Sequence, residues 1–450
     1  MKLKIVIPLA VVLALLGIGG SQYPKLYIAT GYGAKSMATA VFVAGRDPQM
    51  VKLTDLNYSI VKYTSNIVDY EKKSVTTSLW GLAKQTAIYR EGYGCCLMGD
   101  LPANSFQKMS FNLPANTKVG TWKIPWPDGD QIKDTLFPEI DKVKLQTAID
   151  SAFDGPTEYR KGSAAVVVIF KGELVAERYA KELGIGAETR LWGWSMSKSL
   201  INAMAGVLTK QGKLDINSVA PVQEWQNDLR RNITVNDLMH MSSGLKWDED
   251  YGDVSSATNM LYRSPDCYKV AIDVPYQDKP DIKWNYSSGT TNILSGIIRS
   301  TIGNDLAYWN FPYVEIFNKI GMSSMILEAD ASGNFVGSSF GYATARDWAR
   351  FGLLYFNDGI WKNDTILPKG WVTYSRTPAN ASKGQYGAQF WLNKSKKLPD
   401  VPEDMFSCNG HRGQYVYIIP SRNLVVVRLG FSTEHFDGNE FLKGILAAIR

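Results

Sequence analysis

The chain has 450 residues, enough for one large domain with extensions or for two domains. Its 45% hydrophobic and 20% charged residues, with no low-complexity run and no repeat at a fixed period, exclude a disordered, fibrous or solenoid protein. The net charge of +6 is spread along the chain with no Lys/Arg cluster among aromatics, so nucleic acid is not an expected partner.

The first element is Met1-Lys-Leu-Lys4 followed by the uncharged, apolar run Ile5 to Gly20. This is the layout of a secretory signal. The run is shorter than the ~20 residues a spanning helix prefers. No A-x-A site follows, only Gly17, Gly19 and Ser21. Residues 1–21 therefore read as a signal peptide or as a retained anchor. In both cases Lys2 and Lys4 stay cytoplasmic and the bulk is exported to the periplasm, touching the inner membrane only through this segment.

Residues 22–140 read as an N-terminal extension and linker. The stretch Thr121 to Gln131 carries Pro125, Pro127 and Asp128-Gly129, the composition of an irregular connection. The cysteines are Cys95, Cys96, Cys267 and Cys408, with only three histidines. Their spacing does not suit a zinc ribbon, so neither a metal nor another cofactor is expected. A Cys267–Cys408 disulfide and four buried thiols are equal alternatives in an exported protein.

The main domain is expected over 141–450. Ala164 to Phe170 and Leu174 to Tyr179, separated by Lys171-Gly172, read as a hairpin buried on both faces. A second pair, Gln414 to Ile419 and Leu424 to Leu429, lies near the end. Phe436 to Arg450 then shows a helical apolar stripe through Phe441, Ile445 and Ile449. The residues between the two hairpins are mostly helix and loop. The expected fold is α+β: a central antiparallel sheet built from both ends of the domain, flanked by helices, with an all-helical subdomain between.

The chemistry starts at LWGWSMSKSL, Leu191 to Leu200. Leu200, Ile201, Met204, Val207 and Leu208 form a helical stripe, and Gly212 suits the C′ position. On a helix starting near Ser195, only Ser195 stands three residues before Lys198 and shares its face; Ser197 and Ser199 point elsewhere. A serine hydroxyl becomes a nucleophile when a base takes its proton. Lysine is that base only if its pKa falls from ~10.4 by ~3 units, about 4 kcal/mol. Burial near Trp192 and Trp194 supplies part of this. A second S-x-x-K, Ser59 to Lys62, sits in a segment that reads as a strand, where i and i+3 face opposite sides.

Two further motifs follow. Tyr286-Ser287-Ser288 precedes the helical stripe Leu294, Ile297, Ile298. His411-Arg412-Gly413 enters the C-terminal strand, where alternation would put His411 and Gly413 on one face, Arg412 on the other, and leave Gly413 open to close approach by a ligand.

Ser195-x-x-Lys198, Tyr286-x-Ser288 and His411-x-Gly413, in this order, resemble the three motifs of the serine β-lactamase and penicillin-recognising superfamily over about residues 160–450. DLMHMSSGL, Asp237 to Leu245, is similar to a stretch that family carries between the first two motifs. The likeness runs most to class C-like esterases and 6-aminohexanoate-dimer (nylon oligomer) hydrolases. The resemblance implies a β-lactamase/transpeptidase-like fold and a serine hydrolase cleaving amide or ester bonds of small oligoamides, peptides or esters through an acyl-enzyme. It implies Ser195 as nucleophile, Lys198 and Tyr286 as general base and acid, and the backbone N–H groups of Ser195 and Gln414 as oxyanion hole. Ser288, His411 and Gly413 would contact substrate, with Tyr251, Tyr386 and Trp391 as groove walls.

The sequence departs from the β-lactamase pattern at Ser288, where Asn is usual, and at His411, where Lys is usual. A histidine is largely neutral near pH 7 and offers no permanent cation to an antibiotic carboxylate. β-Lactam hydrolysis and D-amino-acid-specific cell-wall peptidase activity are the alternatives within the class. A non-catalytic cell-wall-binding protein on the same fold is the alternative outside it. An α/β-hydrolase is excluded, because Gly193-Trp-Ser195-Met-Ser197 lacks the second glycine of the elbow and the later strands read as antiparallel.

Overall fold

A computed structural model describes residues 3–99, 123–133, 135–154 and 160–450, with only the backbone for residues 3–22. Helix α1 runs Leu3–Phe42 without a break, so position 21/22 lies inside it. No helix among the described residues is long and apolar enough to cross a membrane.

The second half of α1 is part of the folded body. Ala29, Ala34, Ala38 and Ala40 are buried along it. Such small residues let a sheet approach closely, and the sheet is an antiparallel meander of β1 Ser65–Asp69, β2 Ser74–Leu79, β3 Leu82–Arg90 and β4 Gly94–Leu97. At Gly31 any Cβ would strike the Tyr262 carbonyl oxygen and the Gln85 side chain. Lys35 and Glu328, both fully buried, form an ion pair that ties α1 to the main domain. Thr39 donates to the same carboxylate at 3.0 Å. Residues 23–99 are thus a packed layer. The described part of the expected linker is ordered too: Trp126 is buried and its indole donates to the Gly172 carbonyl at 2.9 Å.

Helix α2, Lys142–Ser151, is capped by Asp141, which accepts from the Lys144 N–H at 3.1 Å. The first hairpin is β5 Ser163–Phe170 and β6 Glu173–Tyr179. β5 is buried throughout, but β6 is half-buried, correcting the expectation of two covered faces. The cause is position: β6 is the edge of the six-stranded sheet. Helices α3 Ser197–Lys210, α4 Ser288–Ile302 and α5 Ala345–Phe356 follow. Then come β7 Trp391–Leu392, β8 Phe406–Gly410, β9 Gln414–Ile419, β10 Leu424–Gly430 and helix α6 Gly438–Ala447. The order β7-β8-β9-β10-β5-β6 is antiparallel throughout, so the two ends of the domain meet at the β10–β5 pairing. Burying the aliphatic side chains of β5 and β10 contributes about 2 kcal/mol each. α5 packs on one face of this sheet and α6 lies against α2.

All four cysteines are buried free thiols, so the Cys267–Cys408 pairing is absent and the thiol alternative holds. The Ser59 to Lys62 copy is a 3-10 turn, Ser59–Tyr63, not a strand. In that geometry i and i+3 share a side, but Ser59 and Lys62 are both exposed on the surface rather than enclosed in a site.

Candidate active site

The backbone reaches Ser195 through a strained turn. Trp194 adopts φ +50°, a left-handed conformation rare for a bulky residue, within the 3-10 turn Trp194–Met196. Its ring is held in a stack, 3.6 Å and 8° from Trp192 and 5.7 Å from Tyr32 of α1. The α-helix begins at Ser197, two residues later than the apolar stripe predicts.

The three serines separate as expected. Ser197 Oγ donates to the Trp194 carbonyl at 2.7 Å and accepts from the Gly341 N–H at 2.9 Å. Ser199 Oγ donates to the Gln389 carbonyl at 2.8 Å. Ser195 Oγ alone meets the lysine, 3.0 Å from Lys198 Nζ. That amine is 1% exposed and donates also to Ser288 Oγ and the Ser338 carbonyl, each at 3.0 Å. It lies 4.8 Å from the centre of the Tyr286 ring. Burial pulls the Lys198 pKa down to about 8, while the nearby Glu249 carboxylate pulls it up.

The Tyr286 side chain lies beside Ser195 and Trp391 on the cleft wall. Burial first, then Glu249, raises its pKa far above the ordinary tyrosine value, so it is a neutral proton carrier near pH 7. Ser195, Lys198 and Tyr286, three of the sequence-predicted residues, therefore converge on one hydroxyl.

The remaining candidates divide. Trp391 and His411 line the cleft that Ser195 opens into, a space of about 420 Å³. Tyr251 lines it too, stacked on His411 at 5.1 Å and 21°. Tyr386 does not: it is buried behind Tyr286 and meets it edge-on at 5.7 Å. Ser288 is wholly buried and faces Lys198 rather than substrate. Burial, with Arg412 adding to it, lowers the His411 pKa to about 4, so the ring is neutral near pH 7.

The third motif departs most from expectation. His411 to Gly413 form the turn between β8 and β9. Arg412 and Gly413 both have positive φ, +62° and +80°, which bends the chain and ends the alternation. Arg412 does turn away, donating to the Asp55 carbonyl at 2.7 Å. Gly413 is not among the residues lining the cleft: a Cβ there would strike the Arg428 guanidinium. Gln414 lies across the turn, paired with Gly410 in the β8–β9 register. Its side chain donates to the Gly430 carbonyl at 2.6 Å and accepts from the Gly430 N–H at 2.8 Å. Instead Asn409, Gly410 and His411 reach the cleft. Gly410 runs so close to the Gly193 carbonyl that a Cβ would collide with it.

Glu249 was not singled out from the sequence. Its carboxyl accepts from the Ser288 N–H at 2.8 Å and the Tyr251 hydroxyl at 3.0 Å, and also bonds Ser288 Oγ and the Trp247 indole. Through Ser288 it is one hydroxyl from Lys198. The only available signal was the acidic, aromatic run Trp247 to Tyr251 after DLMHMSSGL. No group of His, Cys, Asp and Glu that could hold a metal occurs among the described residues.

The fold and this constellation define a β-lactamase/transpeptidase-like serine hydrolase. The sequence model of the beta-lactamase family matches residues 148–439, and the chain belongs to that family. It is 24% identical over 394 residues to the 6-aminohexanoate-dimer hydrolase of Paenarthrobacter ureafaciens, covering 79% of this chain and 95% of that one. The fold is shared with a penicillin binding protein from Bacillus halodurans: TM-score 0.52, 15% identity, 67% of this chain and 99% of that one. It is shared equally with a class C beta-lactamase solved with cefoxitin: TM-score 0.51, 15% identity, 69% of this chain and 100% of that one.

Proposed function

We propose that the protein hydrolyses amide or ester bonds of small, linear oligoamides, peptides or esters through an acyl-enzyme on Ser195. The observation that carries this is the buried Lys198 amine 3.0 Å from Ser195 Oγ, its pKa drawn down to about 8 by burial. About a tenth of the molecules then hold a neutral amine at pH 7 without any further change.

Neutral Lys198 takes the proton as Ser195 Oγ attacks the carbonyl carbon. The new C–O bond forms and the carbonyl π electrons move onto oxygen. Backbone N–H groups of Ser195 and His411 meet that oxyanion. His411 replaces Gln414 in this reading because it faces the cleft, on the strand that abuts Gly193. Tyr286 passes its proton to the departing nitrogen or oxygen as the C–N or C–O bond breaks, and Lys198 restores it. Water then repeats the sequence on the acyl ester, releasing the acid and Ser195.

The neutral His411 beside the cleft favours uncharged amide and ester groups over a β-lactam carboxylate. The 6-aminohexanoate-dimer hydrolase of P. ureafaciens supports a linear amide as the first substrate to try. Export with residues 1–21 as signal or anchor belongs to the same reading. The test is intact mass and turnover with p-nitrophenyl acetate, 6-aminohexanoate dimer and nitrocefin, for the protein and its Ser195→Ala variant. An acyl adduct and turnover that both vanish in the variant are expected. A folded protein that gives neither would leave a binding module on this fold.

A further inference from the structure

A second cavity of about 260 Å³ lies on the far side of the Tyr251–His411 stack from the catalytic cleft. Those two rings line both spaces, and Trp194, the neighbour of Ser195, lines the second. Its opposite wall comes from the N-terminal layer: Ile28, Ala29 and Tyr32 of α1, with Tyr58 and Ile60 at the 3-10 turn. This wall lies outside the residues that match the family, 148–439.

The lining is aromatic and aliphatic. Its two charged members, Lys25 and Asp253, pair with each other at 3.0 Å and are about half exposed, at the rim. Tyr262 also lines it, and its buried hydroxyl has no hydrogen-bond partner among the described residues. Pockets that hold whole small-molecule ligands run to about 300–1,000 Å³. This space suits one arm of a ligand whose remainder lies in the cleft.

We propose that this cavity is a subsite for an uncharged hydrocarbon arm on the acyl side of the substrate, and that the N-terminal layer thereby sets chain-length preference. The direction follows from Tyr286. The leaving group must meet its hydroxyl, which sits against Trp391, and neither residue touches this cavity. The acyl arm runs the other way, past Ser195 toward Trp194 and His411. The inference rests on the acyl-enzyme reading for its catalytic readout.

The experiment measures kcat/KM for p-nitrophenyl acetate, butanoate, hexanoate and octanoate with the full chain, Ile28→Trp and Ile60→Trp. Both isoleucines are only partly buried, so the larger ring fills the cavity with little demand on the core. A rise of about tenfold from acetate to octanoate is expected, lost in both variants while acetate turnover stays, which also reports that they fold. Calorimetry of octanamide and acetamide with Ser195→Ala gives a readout free of turnover, and Ser195→Ala/Ile28→Trp should lose the preference for octanamide. A flat or falling series, or a rise retained in both variants, overturns the proposal. Chain-length-dependent binding without any acylation would overturn the acyl-enzyme reading and leave the subsite standing. Adducts without chain-length dependence would do the reverse.

Discussion

Replacing Glu249 with glutamine should make the enzyme work at lower pH. Glu249 bonds Ser288, and Ser288 Oγ stands 3.0 Å from Lys198 Nζ. Two hydrogen bonds in series place the carboxylate roughly 5 Å from the ammonium, where attraction at an effective dielectric near 20 is about 3 kcal/mol. That energy favours the protonated amine and corresponds to an upward pull of about 2 pKa units. Burial wins in the native protein, leaving the Lys198 pKa at about 8. Glutamine keeps the shape and one acceptor but removes the charge, so Lys198 should fall by a further 1 to 2 units, less than the full Coulomb figure because the amide dipole remains. Catalysis needs the neutral amine. Activity lies on the alkaline side of that pKa and is lost as pH drops through it. The acid limb of kcat/KM for p-nitrophenyl acetate should therefore have its midpoint near pH 8 in the native enzyme and near 6 to 7 in Glu249→Gln. The midpoint, not the amplitude, is the readout, because a loosened Ser288 would lower the rate at every pH. A midpoint that stays at 8 or moves up would refute the assignment of Lys198 as the base under Glu249's field.

Tyr286→Phe should cost at least a hundredfold in kcat/KM for an amide but much less in kcat/KM for p-nitrophenyl acetate, because acylation by the ester releases p-nitrophenolate without a proton; equal losses in the two kcat/KM values would remove Tyr286 as the leaving-group acid. Lys35→Met leaves Glu328 buried and unpaired and should destabilise the fold by about 3–5 kcal/mol in urea denaturation, whereas Lys35→Met/Glu328→Leu recovers most of it. A single variant as stable as the native protein would mean that α1 is not held to the main domain through this pair.

Legibility followed the range of the interactions. Ser195 and Lys198 were readable because three residues on one helical face is a local relation, and the structure differs only in starting the α-helix at Ser197. The strands β5, β9 and β10 were readable from runs of buried β-branched residues. The third motif was misplaced because alternation was carried through His411 to Gly413, where two successive positive φ angles make a turn. Tyr386 and Trp391 look alike in sequence, yet one is buried behind Tyr286 and the other lines the cleft. The acidic, aromatic run around Glu249 did not reveal its role, since its partner Ser288 is 39 residues away.

The sequence by itself determined the α+β class, the antiparallel closure of the two chain ends, and the Ser195–Lys198 pair, because periodicity and short spacings encode these. Tertiary structure decided what surrounds that pair. It set the depth of burial that brings Lys198 to about 8, against the opposing charge of Glu249. It left Gln414 at the base of the turn and His411 at the cleft. It also folded residues 23–99 onto the domain as a wall beside the site, joined through Lys35 and Glu328, 293 residues apart. Desolvation and long-range charge depend on everything that packs around a group, and no short stretch of sequence contains that.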